Sequence, residues 1–293
     1  MGSFLDPAPG APTRLRALLA RDEPLLVPGA YDALSARLVE QAGFDAVYMT
    51  GFGATASLLG MPDVGLLSGD EMVDNAGRMA RAVDVPLISD ADTGYGNAIN
   101  VARTVQQFER AGVAAVHLED QVSPKRCGHM DGKEVVPREE WVAKLRSALE
   151  HRTRLHVTAR TDARGVLGLA EAIERATIAR DLGVDAVFVE APQTVGELDA
   201  IAQALPGTTL VANMVETGKT PLLTPTELAD RGFHLIVSPV SLLFSAVAAM
   251  QRTLHRLHHA GTLRDDLGEL VDFDTFTTIV GLPRHQETQR RYA

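Results

Sequence analysis

Cysteine is nearly absent from this chain: Cys127 is the only one in 293 residues. One thiol excludes an intramolecular disulfide and suits a reducing cytosol, so a cytoplasmic protein is expected. Cations are also scarce, with 28 Lys and Arg against 38 Asp and Glu and a formal net charge of -10. That balance argues against a nucleic-acid or anionic-membrane surface, each of which needs concentrated Lys and Arg. An anionic substrate would therefore need local cations or a bound metal. Long apolar runs are missing too. The longest uncharged one, "LIVSPVSLLFSAVAAM" at 235–250, is shorter than the roughly 20 residues of a spanning helix and contains Pro239. It reads as a buried strand followed by a buried helix. The N-terminus lacks the basic-then-apolar order of a secretory signal.

Short apolar or β-branched runs recur down the chain. They are "PLLVPGA" (24–30), "DAVYMTG" (45–51), "VPLISDAD" (85–92), "AAVHLED" (114–120), "RLHVTAR" (154–160), "AVFVEA" (186–191), "TTLVANM" (208–214) and "HLIVSPV" (234–240). Between them lie stretches with helical apolar spacing, several ending on a glycine just before the next strand: Gly43, Gly112, Gly183 and Gly232. Strand–helix alternation without a linker predicts an α/β fold, a single (β/α)8 barrel of the TIM type. The competing open sheet would show a Gly-rich phosphate turn after the first strand, and "VPGAYDALSA" has none. One domain over 1–293 is expected, with the barrel at about 15–260 and a weakly patterned region at about 261–293 docking on another subunit.

Active sites of such barrels lie at the C-terminal strand ends. There the sequence places Tyr31-Asp32, Thr50-Gly51-Phe52, Asp90 and Asp92, Glu119-Asp120, Arg160-Thr161-Asp162, Glu190, Asn213 and Glu216. Asp90 and Asp92 share a strand face, and Glu119 comes from the next strand. Carboxylates turned into one mouth repel unless protonated or metal-bound, and an all-oxygen set suits Mg²⁺, or Mn²⁺, better than zinc. The plainer alternative is that Asp92 caps a helix and Glu119 pairs with an Arg. Arg160 can grip a carboxylate bidentately, or can compensate Asp162 and Glu190. "TGFGATASLLG" offers backbone N–H groups to an anion, or is a plain strand-to-helix turn. His129 is either an acid/base or a solvent-facing loop residue, and Trp141 reads as packing. The lone thiol sits among Lys125, Arg126 and His129 in "SPKRCGHMDGKEVVP".

Taken together, "DADTGYGN", "HLEDQVSPKRCGH", "ARTDA", "FVEAP" and "ANMVETGKTP" resemble the isocitrate lyase / phosphoenolpyruvate mutase superfamily over about residues 15–260. Within it the chain is most similar to the short members: 2-methylisocitrate and 2,3-dimethylmalate lyases, oxaloacetate-cleaving relatives and carboxyphosphonoenolpyruvate mutase. The resemblance implies a barrel whose last helix swaps between partners in a homotetramer, a dimer of dimers. It implies Asp90 as direct ligand of Mg²⁺ (Mn²⁺ being possible), with Asp92 and Glu119 holding the metal through water. Thr50, Gly51 and Phe52 would bind the 2-oxo acid unit together with Arg160, near Tyr31 and Asp63; Glu190 and Asn213 would contact the rest. Cys127, on a gating loop, would protonate the departing carbanion, its pKa set by Lys125, Arg126 and His129. The ligand is then a small carboxylate or phosphonate, with no nucleic acid and no membrane as partner. The implied reaction is carbon–carbon cleavage of a 2-hydroxy di- or tricarboxylate; a P–C bond-forming mutase is the alternative, and a non-catalytic binding homologue a third. "ETGKTP" departs from the usual "EGGKTP", and Thr217 is expected to add bulk near the substrate's distal end.

Overall fold

The computed structural model describes residues 10–293. Eight parallel strands close into a barrel in sequence order. They are β1 (Leu25–Ala30), β2 (Val47–Met49), β3 (Leu87–Asp90), β4 (Ala115–Glu119), β5 (His156–Thr161), β6 (Ala186–Val189), β7 (Leu210–Asn213) and β8 (Phe233–Ser238). Six fall inside a run expected to be a strand, while β5 runs one residue past its run at Thr161 and β8 begins one residue before its run at Phe233. In this compact unit, which ends at Ser241, ten helices alternate with them. These are α1 (Ala11–Leu19), α2 (Ala33–Gln41), α3 (Gly51–Leu59), α4 (Gly69–Ala82), α5 (Ala98–Arg110), α6 (Arg138–His151), α7 (Ala163–Val166), α8 (Leu169–Asp181), α9 (Val195–Ala204) and α10 (Pro225–Ala229).

Local chemistry sets the boundaries. Asp32, Ser68, Asn97 and Thr224 begin α2, α4, α5 and α10 with reciprocal capping boxes, each cap being worth about 1 kcal/mol. All four expected helix-ending glycines take positive φ, between 85° and 94°. On α5, Val101, Thr104, Val105 and Phe108 form the buried stripe that turns the helix toward the sheet. Trp141 is fully buried on α6, as a packing residue should be.

The barrel's two ends differ. At the N-terminal end, Leu15 and Leu18 of α1 join Leu25, Ala46, Ala114, Ala186 and Leu235 in one apolar cluster. Arg14 and Arg16 fasten α1 there, to the Asp84 and Arg154 carbonyls. A floor closed by α1 leaves the C-terminal end as the open mouth. Gly29 lets β1 pass β8, since a Cβ there would stand 2.1 Å from the Pro239 carbonyl oxygen.

The second compact unit is Leu242–Ala293. It holds most of α11 (Ser241–Ala260), then α12 (Phe273–Ile279) and α13 (Leu282–Tyr292). The helix expected to be buried after β8 is not. Leu243 is the one buried residue of α11, while Phe244, Val247, Met250, Leu254 and Leu257, three or four apart, are exposed. Uncharged character made the segment look like core, but its apolar stripe is exposed. Among the described residues no helix is long and apolar enough to cross a membrane.

Candidate active site

Arg160 is the hub of the mouth. It is 6% exposed, and its guanidinium lies over the Phe188 ring at 5.3 Å. Nε and Nη2 donate to the two Asp162 oxygens at 2.9 and 3.2 Å, Nη1 stands 3.3 Å from Glu119 Oε2, and Nη2 3.4 Å from Glu190 Oε2. Strand register produces this arrangement, because Glu119 is opposite Arg160 and Arg160 opposite Phe188. Burial opposes the charge of Glu190, yet Arg160 above all, then His129, holds its carboxyl well below the usual range. The charge-compensation reading of Arg160 is thus observed, and such a buried charge is costly to strip of its partners.

The three carboxylates expected to hold a metal are all buried, but they do not gather into one group. Asp92 Oδ1 lies 3.0 Å from Lys125 Nζ, which also donates to Asp63 Oδ2 at 2.7 Å. Asp90 accepts the Asp92 N–H, with its Oδ2 only 2.7 Å from where a Gly51 Cβ would stand. Glu119 faces Arg160, and neither of its oxygens has a hydrogen bond. Among the described residues no cluster of three or more His, Cys, Asp or Glu is placed to hold an ion. Burial, reinforced by Asp90 and Asp63 and opposed by Lys125, pushes Asp92 up to about 6. Burial likewise raises Glu119 well above the usual range against the pull of Arg160. These carboxylates outnumber their cations, and the buried oxygens of Glu119 lack donors. In donor chemistry, though not in their present placement, buried carboxylate oxygens short of positive charge suit a hard divalent cation.

Residues 121–136 fold over this mouth. Gln121 bridges Val135, and its side-chain amide clamps both the N–H and the C=O of Arg126. Gly128 packs against Arg160 and Glu190 so closely that a Cβ would lie 2.6 Å from each. Lys133 donates to the Gly128 carbonyl and, at 2.8 Å, to Asp162. His129 is no solvent-facing residue. Its Nδ1 accepts the Lys219 N–H at 3.0 Å, leaving the proton on Nε2, 3.2 Å from Glu190. Lys219 also reaches Asp131.

The expected tuning of Cys127 by three cations is corrected. Lys125 turns to Asp63 and Asp92, Arg126 is exposed with its guanidinium toward the Asp131 carbonyl, and His129 faces Glu190. Burial pushes the Cys127 thiol up; the His129 N–H pulls it down, while the Asp63 and Glu190 carboxylates add to the rise. The sulfur therefore stays S–H. This suits a proton donor and not a thiolate nucleophile.

At the rim, Thr50 caps α3 by accepting the Gly53 N–H at 3.3 Å, which puts Gly51 against Asp90 and leaves Phe52 half-buried. Half-buried Tyr31 packs beside Gly53. Asn213 donates to both Glu190 oxygens at 3.3 and 3.1 Å. Thr217 does not add bulk inside: it is exposed, at φ 62°, because the turn it occupies points its side chain outward. Sequence reasoning gave no role to Lys133, Asp120 or Arg175. Asp120 accepts from the Asp162 N–H, the Thr161 hydroxyl and Arg175, tying the ends of β4 and β5 to α8. An acidic pair at the end of β4 was the available signal, its second member facing away from the mouth.

The chain is similar to known proteins over nearly its whole length. The sequence profile of the family described as Phosphoenolpyruvate phosphomutase matches residues 15–258. The 2,3-dimethylmalate lyase of Eubacterium barkeri is 44% identical over 282 residues, covering 96% of this chain and 97% of that protein. The chloroplastic carboxyvinyl-carboxyphosphonate phosphorylmutase of Arabidopsis thaliana is 43% identical, covering 99% and 87%. Among solved structures, oxaloacetate acetylhydrolase in complex with the inhibitor 3,3-difluorooxalacetate superposes with a TM-score of 0.93 at 39% identity, covering 98% of each chain. Barrel, carboxylate mouth, thiol-bearing loop and these likenesses together make the chain a member of the phosphoenolpyruvate phosphomutase family, within the PEP mutase/isocitrate lyase superfamily of enzymes.

Proposed function

We propose that this protein is a divalent-metal-dependent carbon–carbon lyase. Its substrate would be a 2-hydroxy di- or tricarboxylate, cleaved to a 2-oxo acid and a second carboxylate. The observation that carries the reading is the placement of the thiol of Cys127 on a loop that closes over Arg160 and Glu190, where Gly128 packs against both.

Asp90, Asp92 and Glu119 would hold Mg²⁺ or Mn²⁺, which when bound supplies a Lewis acid for the substrate's hydroxyl and adjacent carboxylate. The N–H groups at the start of α3, Thr50 to Phe52, receive the 2-oxo acid end, with Tyr31 beside them. Arg160 pairs the same end, and Glu190 and Asn213 contact the rest of the substrate. Lys125, fastened to Asp63 and Asp92, fixes one side of the loop, and Lys133 the other through Asp162. As the C–C bond breaks, the substrate's hydroxyl proton passes to a carboxylate of the mouth, and with the loop shut water is kept from the carbanion that forms. The Cys127 S–H then gives that carbon its proton.

The near-equal identity to a phosphorylmutase favours one second reading, P–C bond formation at the same mouth. Exposed apolar residues along α11, α12 and α13 support a homotetramer in which a second copy covers them. The test is a coupled assay with Mg²⁺ for 2-oxo acid release across 2-methylisocitrate, 2,3-dimethylmalate and other alkylmalates, and for oxalate release from oxaloacetate. Turnover of at least one supports the lyase; silence on all, with conversion of a phosphonate seen by phosphorus NMR, replaces it by the mutase.

A further inference from the structure

We propose that α11 carries a second, chemically different metal site, in which His255 and His259 bind a late first-row divalent cation of the zinc class. The site lies in the second compact unit, and it stands or falls independently of the lyase reading.

The stretch "TLHRLHHAG" at 253–261 gathers three of the chain's nine histidines. All three lie within α11 and are exposed. Residues four apart on a helix stand one above the other on the same face, and two imidazoles at that spacing are a pair by which a helix grips a metal ion. The rings of His255 and His259 meet in this way, with centroids 4.2 Å apart and planes 38° apart. A hydrogen bond sets the tautomer. His259 Nδ1 lies 2.8 Å from the His255 carbonyl oxygen, which can only accept, so Nδ1 carries the proton and Nε2 of the neutral ring keeps its lone pair. A backbone carbonyl on the second nitrogen is the usual support of a metal-bound imidazole. An ion about 2.0–2.1 Å from each Nε2 needs centroids only slightly wider than these, and exposed rings are free to make that adjustment. His258 stands edge-on to His259 at 5.3 Å and limits its swing.

Donor chemistry selects the ion. Imidazole nitrogen suits Zn²⁺, Cu²⁺ and Ni²⁺, whereas Mg²⁺ keeps to oxygen. Two protein ligands leave the rest of the coordination shell to water, so the site is an open one. Arg256, the cation between the two ligands in sequence, is turned to Asp266 and Glu269 at 2.9 and 2.8 Å. The apolar stripe of α11, from Phe244 to Leu257, does not include the pair. At 100° per residue, His255 and His259 lie roughly 100° and 140° round the helix from the middle of that stripe. A second copy covering the stripe would therefore leave the pair in water.

The experiment titrates Zn²⁺ calorimetrically into the full chain held in excess Mg²⁺, for the wild type and for His255→Ala, His259→Ala and His258→Ala. One Zn²⁺ equivalent of the wild type should weaken at least about tenfold in each of the first two variants and by less than about threefold in the third. Circular dichroism and the thermal midpoint check that each variant is folded. A readout that needs no variant is the electron paramagnetic resonance spectrum of one equivalent of Cu²⁺ on the Mg²⁺-loaded wild type, which should show coupling to two imidazole nitrogens. Absence of Zn²⁺ binding, binding unmoved in folded His255→Ala and His259→Ala, an equal loss in His258→Ala, or a copper spectrum with oxygen ligands alone would each overturn the site. None of these outcomes bears on the chemistry of the barrel mouth.

Discussion

The floor and the mouth of this barrel are built from the same eight strands by opposite rules. At the floor, Leu15, Leu18, Leu25 and Leu235 meet in an apolar cluster, and the arginines of α1 reach outward to carbonyls. At the mouth, Asp63, Asp90, Asp92, Glu119, Lys125, Arg160 and Glu190 are each no more than 6% exposed. Burying apolar surface stabilises a fold, whereas burying charge at best breaks even. The floor therefore carries stability, and the mouth gives some of it up for chemistry. Between the two lies His117, wedged against Tyr48 and Phe188 with both ring nitrogens unpaired.

Substitutions should separate the two ends. Asp90→Ala should lower metal-dependent turnover by about 10³-fold or more while leaving the thermal midpoint within a few degrees. An unchanged magnesium titration of activity would remove Asp90 from the metal site. Leu15→Ala should do the reverse, costing about 2–5 kcal/mol in urea unfolding while kcat/KM stays within twofold. A floor variant that lost activity before stability would break the comparison.

His117→Phe has the smallest expected effect. Burial holds the His117 imidazole down at about 3, below its unfolded value of 6.5. A depressed folded value means that its contribution is complete above pH 6.5 and is lost as pH falls toward 3. Asp92 and Asp120, both pushed up to about 6, act in the opposite sense, but the variant shares them. The stability difference, variant minus wild type, should thus grow by about 2 kcal/mol between pH 6.5 and 5. A pH-independent difference would show that His117 is not held neutral by the fold.

These two ends were not equally legible in the sequence. Strand runs, helix-ending glycines and the polar residues after each strand were readable because period and turn chemistry are local. Pairing was not. Lys125 and Asp63 stand 62 positions apart and meet only when the barrel closes. Lys133 and Asp162, 29 apart, meet only when the loop lies over the mouth. The cations flanking Cys127 in sequence were expected to set its pKa, but Lys125 and His129 turn to carboxylates, Arg126 turns to a backbone carbonyl, and burial dominates instead. For α11, hydrophobicity was read as burial, although an apolar stripe specifies a partner surface without saying which chain supplies it.

The central claim is that the closed mouth delivers a proton from Cys127 to a carbanion, and Cys127→Ser tests it most directly. A hydroxyl is nearly isosteric with the thiol but a far weaker acid. In single-turnover assays on the best substrate of the panel, kcat should fall by about 10²–10⁴-fold, with KM and thermal midpoint nearly unchanged. Turnover within a few-fold of the wild type would contradict the account.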